Sequence, residues 1–385
     1  MLFRRSFLIT FGALLLLSAA FASGYWFRTT QDAGLKRFPL LNEAYDILQR
    51  NGLKTVPTHP DLEYGMIRGM LQAYNDPYTI FVEPVQHELE SNALQGSFGG
   101  IGVSLGHDSE GYYVLFPFAN SPAAKVGIQE GDRLLAVEDL AINPQTSLDQ
   151  VESAIRGPVG QSVRLTVGRP PDYQPQQFNI RRAQFPEPSV AWHVEPLDPR
   201  LGVIQVNIIA SSTGDEIQHA VQDLQTRHVT HFILDLRNNP GGLLSTGVDV
   251  ARLFLKSGLI LQQQYKGKGV ETFRADTPGP LDDIPLVVLV NHNTASAAEI
   301  IAGALKVNHR ALLIGVPSFG KDTIQLVFDL GDGSSLHVTS AHWWIPGLDP
   351  PLGGNGLQPD IPINPANENA TPDPYIQAAI QAFFH

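Results

Sequence analysis

Apolar residues between Leu35 and Leu94 recur at helical spacing, as in Leu41, Ala44, Tyr45 and Leu48 and again in Met66, Met70, Leu71 and Tyr74. This spacing predicts a small helical region, broken by the turn-forming run Asn75-Asp76-Pro77-Tyr78-Thr79 and ended by a glycine-rich stretch from Gly96 to Gly102. The pattern then shifts to short alternating segments that read as strands: Gly102–Leu105, Tyr112–Leu115, Arg133–Val137 and Val163–Val167, with one helix, Leu148–Ile155, among them. Prolines at 170, 171, 175, 186 and 188 separate this unit from the next, and a boundary falls near Arg182. Beyond it strands alternate with helices, the signature of a layered α/β domain. Val203–Val206, Phe232–Leu236, Leu286–Val290, Ala311–Gly315, Gln325–Leu330 and Ser335–Thr339 read as strands, and Asp215–Thr226, Leu243–Leu255 and Ala297–Val307 as helices. The expectation is a multidomain α+β chain: a segment at 1–30, a helical region over 31–95, a β-barrel-like unit over 96–182 and an α/β domain over 183–385.

Composition narrows the chemistry. The 385 residues, 43% of them hydrophobic, suffice for more than one core. With 26 Lys and Arg against 38 Asp and Glu, the chain offers no basic field for a phosphate backbone, so nucleic acid is not an expected partner. The absence of cysteine removes disulfides, thiolate metal sites and a thiol nucleophile. The 12 histidines lack a ligand-like spacing, so neither metal nor other cofactor is expected. Arg4 and Arg5 precede an apolar run from Phe7 to Phe21, which reads as an export signal and implies an extracytoplasmic location. Ala20-Phe21-Ala22 suits signal cleavage, whereas Tyr25, Trp26 and Phe27 suit an interfacial belt, so a cleaved signal and an uncleaved membrane anchor are both open.

Glycines in Gly99-Gly100-Ile101-Gly102-Val103 leave backbone amides available for a carboxylate, and the strand that follows can accept an extended peptide on its edge. Ser121–Ile128, Gly131–Val137 and Arg156-Gly157-Pro158-Val159-Gly160 follow in order, and together these segments resemble a PDZ domain. The resemblance implies that Ile101, Gly102 and Val103 line a site for a polypeptide C-terminus. A ligand-free β-barrel whose glycines serve only turns is the plainer reading. Arg156 is a candidate domain-contact residue or simply an exposed arginine.

The chemistry concentrates where the strand Leu286–Val290 runs through Asn291-His292-Asn293-Thr294-Ala295 into Ser296-Ala297-Ala298-Glu299-Ile300. A serine at such a strand-to-helix turn has an exposed hydroxyl and helix N-terminal amides beside it, as acyl transfer requires. Ser296 could equally be a helix cap, with Glu299 completing a capping box. No histidine has a partner acid at a recognisable spacing, but Lys321, in Ser318-Phe319-Gly320-Lys321, could lose its proton if desolvated and serve as base. Taken alone, it could also be a surface lysine in a glycine turn.

Asp235-Leu236-Arg237-Asn238-Asn239-Pro240-Gly241-Gly242, Thr294–Ile300, Phe319-Gly320-Lys321 with Gln325, Gly356-Leu357-Gln358-Pro359-Asp360 and Asn75–Thr79 together resemble the carboxyl-terminal processing, or tail-specific, protease family, from about Leu40 to Pro362. The resemblance implies a crotonase/ClpP-like peptidase domain in which Ser296 is the nucleophile, Lys321 the base and Gln325 the residue that orients it. It further implies an oxyanion hole from the amides of Ala297 and Gly242, with Gly241 close behind, and polypeptide substrates with apolar C-terminal tails. Ala298, Asp322, Val307 and Ile345-Pro346 depart from the family pattern, and an acid at Asp322 would favour the charged form of the neighbouring lysine. A catalytically silent tail-binding protein and a crotonase-like acyl-CoA enzyme are the competing readings.

Overall fold

The computed structural model describes residues 38–57, 60–365, 368 and 370–384; the segment read as an export signal lies outside them. Among the described residues no helix is long and apolar enough to cross a membrane. The chain divides into two compact units, with the division between Tyr74 and Asn75. In the first, the helix Pro39–Asn51 starts with proline at its first turn, where the missing N–H costs nothing, and stops at Gly52. Asp61–Tyr74 forms the second helix, with Asp61 and Glu63 in the first turn, where the helix dipole favours negative charge.

The second unit begins with the short strand Ile80–Val82 and the helix Pro84–Leu94, then enters the β-rich region. There Val103–His107, Tyr113–Pro117, Asp132–Val137, Ser162–Arg169 and Gln174–Arg181 pair in that order, all antiparallel. Their inward positions, among them Leu115, Leu134, Val163, Leu165, Val167 and Ile180, are fully buried. The helix Leu148–Ile155 has the bounds its spacing predicts, and the Ser147/Gln150 capping box fixes its start. The proline stretch, expected to separate domains, instead turns a hairpin between Ser162–Arg169 and Gln174–Arg181. The chain leaves through Ala183–Pro186, which pairs with Ser97–Gly100, so the way in and the way out lie side by side.

A six-stranded sheet follows, ordered Val190–Val194, Leu201–Val206, His231–Asp235, Leu286–Val290, Leu312–Gly315 and Ile361–Pro362, parallel except for the first pair. Its central strands read as continuous apolar runs because both faces are covered. Ile204, Phe232, Leu234, Val288, Val290 and Leu313 share a core with helices Thr213–Thr226, Leu244–Phe254 and Ala297–Val307. Alternate residues Val203, Ile233, Val287, Leu289 and Ile314 pack against the helix Pro374–Phe384. A second sheet joins Ile80–Val82, Ser335–Trp344, Gly258–Tyr265 and Val270–Ala275, with Thr323–Asp329 paired to Ser335–Trp344 and, among the described residues, to no other strand. Gly258–Tyr265 and Val270–Ala275 escape the sequence pattern, since the glutamines of one and the exposed positions of the other blur the apolar alternation.

Candidate active site

The strand Leu286–Val290 is wholly buried and delivers the chain to a sharp turn that the helix Ala297–Val307 immediately follows. Asn291 and Thr294 build this turn: the Asn291 N–H donates to Thr294 Oγ1 at 2.9 Å, and Thr294 Oγ1 donates to the Leu236 carbonyl at 2.8 Å. Ser296 at its apex has φ 54° and ψ −120°, a conformation that residues with a Cβ seldom adopt. Such strain persists only where the surroundings hold it. Here they do, through the Ser296 N–H donating to Glu299 Oε2 at 2.8 Å and the Ala295 N–H donating to the Asn239 carbonyl at 2.9 Å.

Glu299 is completely buried and gathers four donors. Besides Ser296, its carboxylate accepts Ser318 Oγ and the Gly320 N–H, both at 2.6 Å, and the Lys321 N–H at 3.1 Å. One side chain thereby binds the serine turn to the loop that carries the lysine. Desolvation raises its pKa, and the four hydrogen bonds oppose that rise. The loop is closed from behind by Leu357, whose N–H donates to Ser318 Oγ at 2.7 Å, which gives the Gly356–Asp360 motif a structural task.

Lys321 Nζ donates to Gln325 Oε1 at 2.7 Å, and Gln325 Nε2 donates in turn to the Tyr78 carbonyl. The Asn75–Thr79 run serves to present that carbonyl, since Asp76 Oδ1 accepts the Tyr78 N–H at 3.1 Å and Thr79 Oγ1 accepts the Thr339 N–H at 3.1 Å. Burial holds the Lys321 pKa below the ordinary lysine value of 10.5, with Glu299 as the one opposing charge. The acid that favours the ammonium form is thus Glu299 and not Asp322, whose Oδ2 lies against Gly353. Ser296, Lys321, Gln325, Gly241 and Gly242 line one cavity of about 420 Å³, walled by Leu243, Leu244, Ile300, Ile324 and Trp343.

The turn after the strand His231–Asp235 presses against the serine. A Cβ on Gly241 would stand 2.8 Å from the Ser296 Cβ, and one on Gly242 would stand 2.2 Å from the Ile209 carbonyl oxygen. Asn239 Oδ1 accepts the Gly241 N–H at 2.8 Å, whereas the N–H groups of Gly242 and Ala297 donate to no acceptor among the described residues. Asp235 and Arg237 brace this turn: Arg237 Nη2 donates to Asp235 at 2.6 Å and Nη1 to Asp373 at 2.9 Å. Burial opposes the guanidinium charge, but these carboxylates overcome it and hold the Arg237 pKa above its ordinary value. Asn291 then ties Asn238 to the serine turn, with its Oδ1 accepting the Asn238 N–H at 2.9 Å. Gly242→Ala is expected to displace the turn and lower kcat about a hundredfold or more with KM little changed, as steady-state kinetics on a polypeptide substrate would show.

A second cavity, of about 380 Å³, lies between the strand Val103–His107 and the helix Leu148–Ile155. It is lined by Ile101, Gly102, Val103, Leu105, Leu148 and Phe185, among others. Val103–His107 pairs on one edge alone, and the Ile101 and Gly102 N–H groups donate to no acceptor among the described residues. Arg156 lies at the rim, stacked 4.3 Å from the Phe98 ring centroid and paired with Glu187, just past Ala183–Pro186.

In the sequence Glu299 reads only as a cap and Tyr78 only as part of the Asn75–Thr79 turn motif, with no sign of its carbonyl's bond to Gln325. The one available signal for Glu299 was a lone acid inside an otherwise apolar helix.

These features define a serine peptidase joined to a PDZ domain: residues 200–363 match peptidase family S41 and residues 119–169 match the PDZ domain. The chain is 33% identical over 356 residues to the carboxyl-terminal-processing protease of Synechocystis sp., spanning 89% of this chain and 82% of that protein. It is 32% identical over 377 residues to the carboxyl-terminal-processing protease of Picosynechococcus sp., spanning 92% and 89% respectively. The chain belongs to the carboxyl-terminal-processing protease family. Among solved structures it is also similar to a photosystem II D1 C-terminal processing protease, at 30% identity over 83% of this chain and 86% of that one, with a TM-score of 0.46. Family membership sets the acyl-CoA reading aside.

Proposed function

We propose that this protein cleaves polypeptides bearing apolar C-terminal tails by a Ser–Lys acyl-enzyme mechanism, outside the cytoplasm. The observation that carries this reading is a half-buried lysine with a lowered pKa, held by Gln325 in the same cavity as a strained serine and a Gly242 amide that has no acceptor among the described residues. Neutral Lys321 takes the Ser296 hydroxyl proton as Oγ attacks the scissile carbonyl carbon. The Ala297 and Gly242 amides stabilise the resulting oxyanion. Protonated Lys321 then gives its proton to the leaving amine, the C–N bond breaks, and water hydrolyses the ester with Lys321 again as base.

Residues 96–182 supply the tail site and 183–385 the peptidase. The substrate tail adds to the free edge of Val103–His107, with its carboxylate on the Ile101 and Gly102 amides and its apolar side chains against Val103 and Leu105. Arg156, through Glu187, touches the connection between the two and acts as the domain-contact residue. Export rests on the basic and apolar run of residues 1–30, which anchors the protein to a membrane if it is not removed.

The test is to incubate the full-length chain with an unfolded protein ending in an apolar tail and to weigh the fragments, alongside labelling by a fluorophosphonate. Cleavage is expected together with stoichiometric labelling at Ser296, and amidation of the tail should raise KM about tenfold through loss of the carboxylate. A chain that neither cleaves nor labels at Ser296 would refute the mechanism. Unchanged KM for the amidated tail would refute the carboxylate site.

A further inference from the structure

We infer that the free edge of the strand Thr323–Asp329 is the docking rail for the part of the substrate around the scissile bond, which joins it as an added β-strand. The inference rests on the Ser–Lys reading and extends it from the reacting atoms to the chain that carries them.

Among the described residues, Thr323–Asp329 pairs with Ser335–Trp344 on one side only. Folded proteins blunt such edges with charges, prolines or bulges, because an open edge pairs with any extended chain. This strand reads Thr-Ile-Gln-Leu-Val-Phe-Asp; its register shifts once, between Ile324 and Gln325, beyond which Gln325–Asp329 pairs regularly, and its one charge, Asp329, is bonded to His87 at 3.0 Å. Val327 and Phe328, on opposite faces, are each 49% exposed. An apolar edge left open in this way suits a partner that comes and goes.

The register shows which backbone groups are offered. The Leu330 N–H donates to the Ser334 carbonyl at 2.8 Å, so hydrogen-bonded pairs fall at Phe328 with Leu336 and at Leu326 with Val338. Val327 and Asp329, opposite His337 and Ser335, therefore direct N–H and C=O away from the ladder and towards the open edge. Position makes this edge a substrate site. The strand starts two residues beyond Lys321 and contains Gln325, and Thr323, Ile324, Gln325 and Val327 line the cavity that holds Ser296. A peptide bond must lie extended to meet a fixed nucleophile, and the regularly paired stretch Gln325–Asp329 offers roughly 17 Å of template. The occupant is thus an extended, apolar stretch of polypeptide, recognised chiefly through its backbone.

Val327→Pro removes the edge-facing N–H without touching the ladder, a position where proline is tolerated, and Val327→Thr keeps that N–H and the β-branch. With an unfolded polypeptide, kcat/KM of V327P is expected to fall at least tenfold more than its rate of Ser296 labelling by a fluorophosphonate, which needs no docked chain. V327T is the reference for the side-chain change, and kcat/KM of V327P is expected to lie at least tenfold below that of V327T. Asp329→Pro removes the next outward N–H and carries the test should V327P fail to fold, which a thermal melt would reveal. Equal losses in V327P and V327T, or a proline variant that cleaves as wild type does, would overturn the inference. So would light scattering that finds a wild-type dimer and a V327P monomer, since the edge would then belong to a second copy. Wild-type chain that resists labelling at Ser296 overturns the Ser–Lys reading itself, a result distinct from a labelled enzyme indifferent to V327P.

Discussion

Lys321→Ala is expected to lower kcat/KM for an unfolded polypeptide by roughly three to four orders of magnitude, leaving only what the oxyanion donors and substrate binding supply. Lys321→Arg should be as inactive, because a guanidinium stays charged at any workable pH and cannot accept the serine proton. That pair of variants separates a base from a mere positive charge. The wild-type pH profile follows from the same site. On the proposed mechanism the working form of the lysine is neutral, so activity is expected to rise with pH through the lysine pKa and then level off. Burial disfavours the ammonium form and places that midpoint below 10.5, with Glu299 limiting how far it falls. A profile still climbing in proportion to hydroxide beyond the ordinary lysine range would count against Lys321 as the base.

Glu299→Gln carries the second large effect. The carboxylate uses its acceptor capacity on Ser296 N, Ser318 Oγ, Gly320 N and Lys321 N. A glutamine turns one of those oxygens into a donor and sets it against donors that cannot move away. The expected cost is about 3 kcal/mol of stability, read from denaturant unfolding. The serine and lysine loops then lose their common tether, and kcat should fall about a hundredfold, as small misplacements of reacting groups do. Removing the acid also removes the one charge that favours the ammonium, so the rising limb of the residual activity should shift to lower pH. A role confined to stability would lower the melting temperature and leave that limb in place. The shift is therefore the discriminating measurement.

Much of this site is legible before any fold is seen. The strand Leu286–Val290 and the helices Ala297–Val307 and Leu148–Ile155 have the bounds that apolar periodicity gives them. Apolar runs and caps act within a few residues, so their energetics are written locally. The proline stretch after Arg169 was misleading for a related reason: proline marks a turn but cannot say whether a hairpin or a linker follows it. Gly258–Tyr265 and Val270–Ala275 stayed hidden because strand preference depends on neighbours that only the sheet supplies.

By itself, the sequence determined the strand, turn and helix around the serine, the lysine beyond them and the glycine pair after an earlier buried strand. Tertiary structure alone decided that Glu299 fastens serine to lysine, and that the Tyr78 carbonyl, 247 residues away, holds Gln325. It also distinguishes the adjacent glycines, since Asn239 accepts the Gly241 amide while that of Gly242 has no acceptor among the described residues. The reason is physical. A cap or an apolar stripe is a property of a few neighbouring residues, whereas the partner of a buried polar group is fixed by sheet register and loop closure, which bring distant segments within 3 Å.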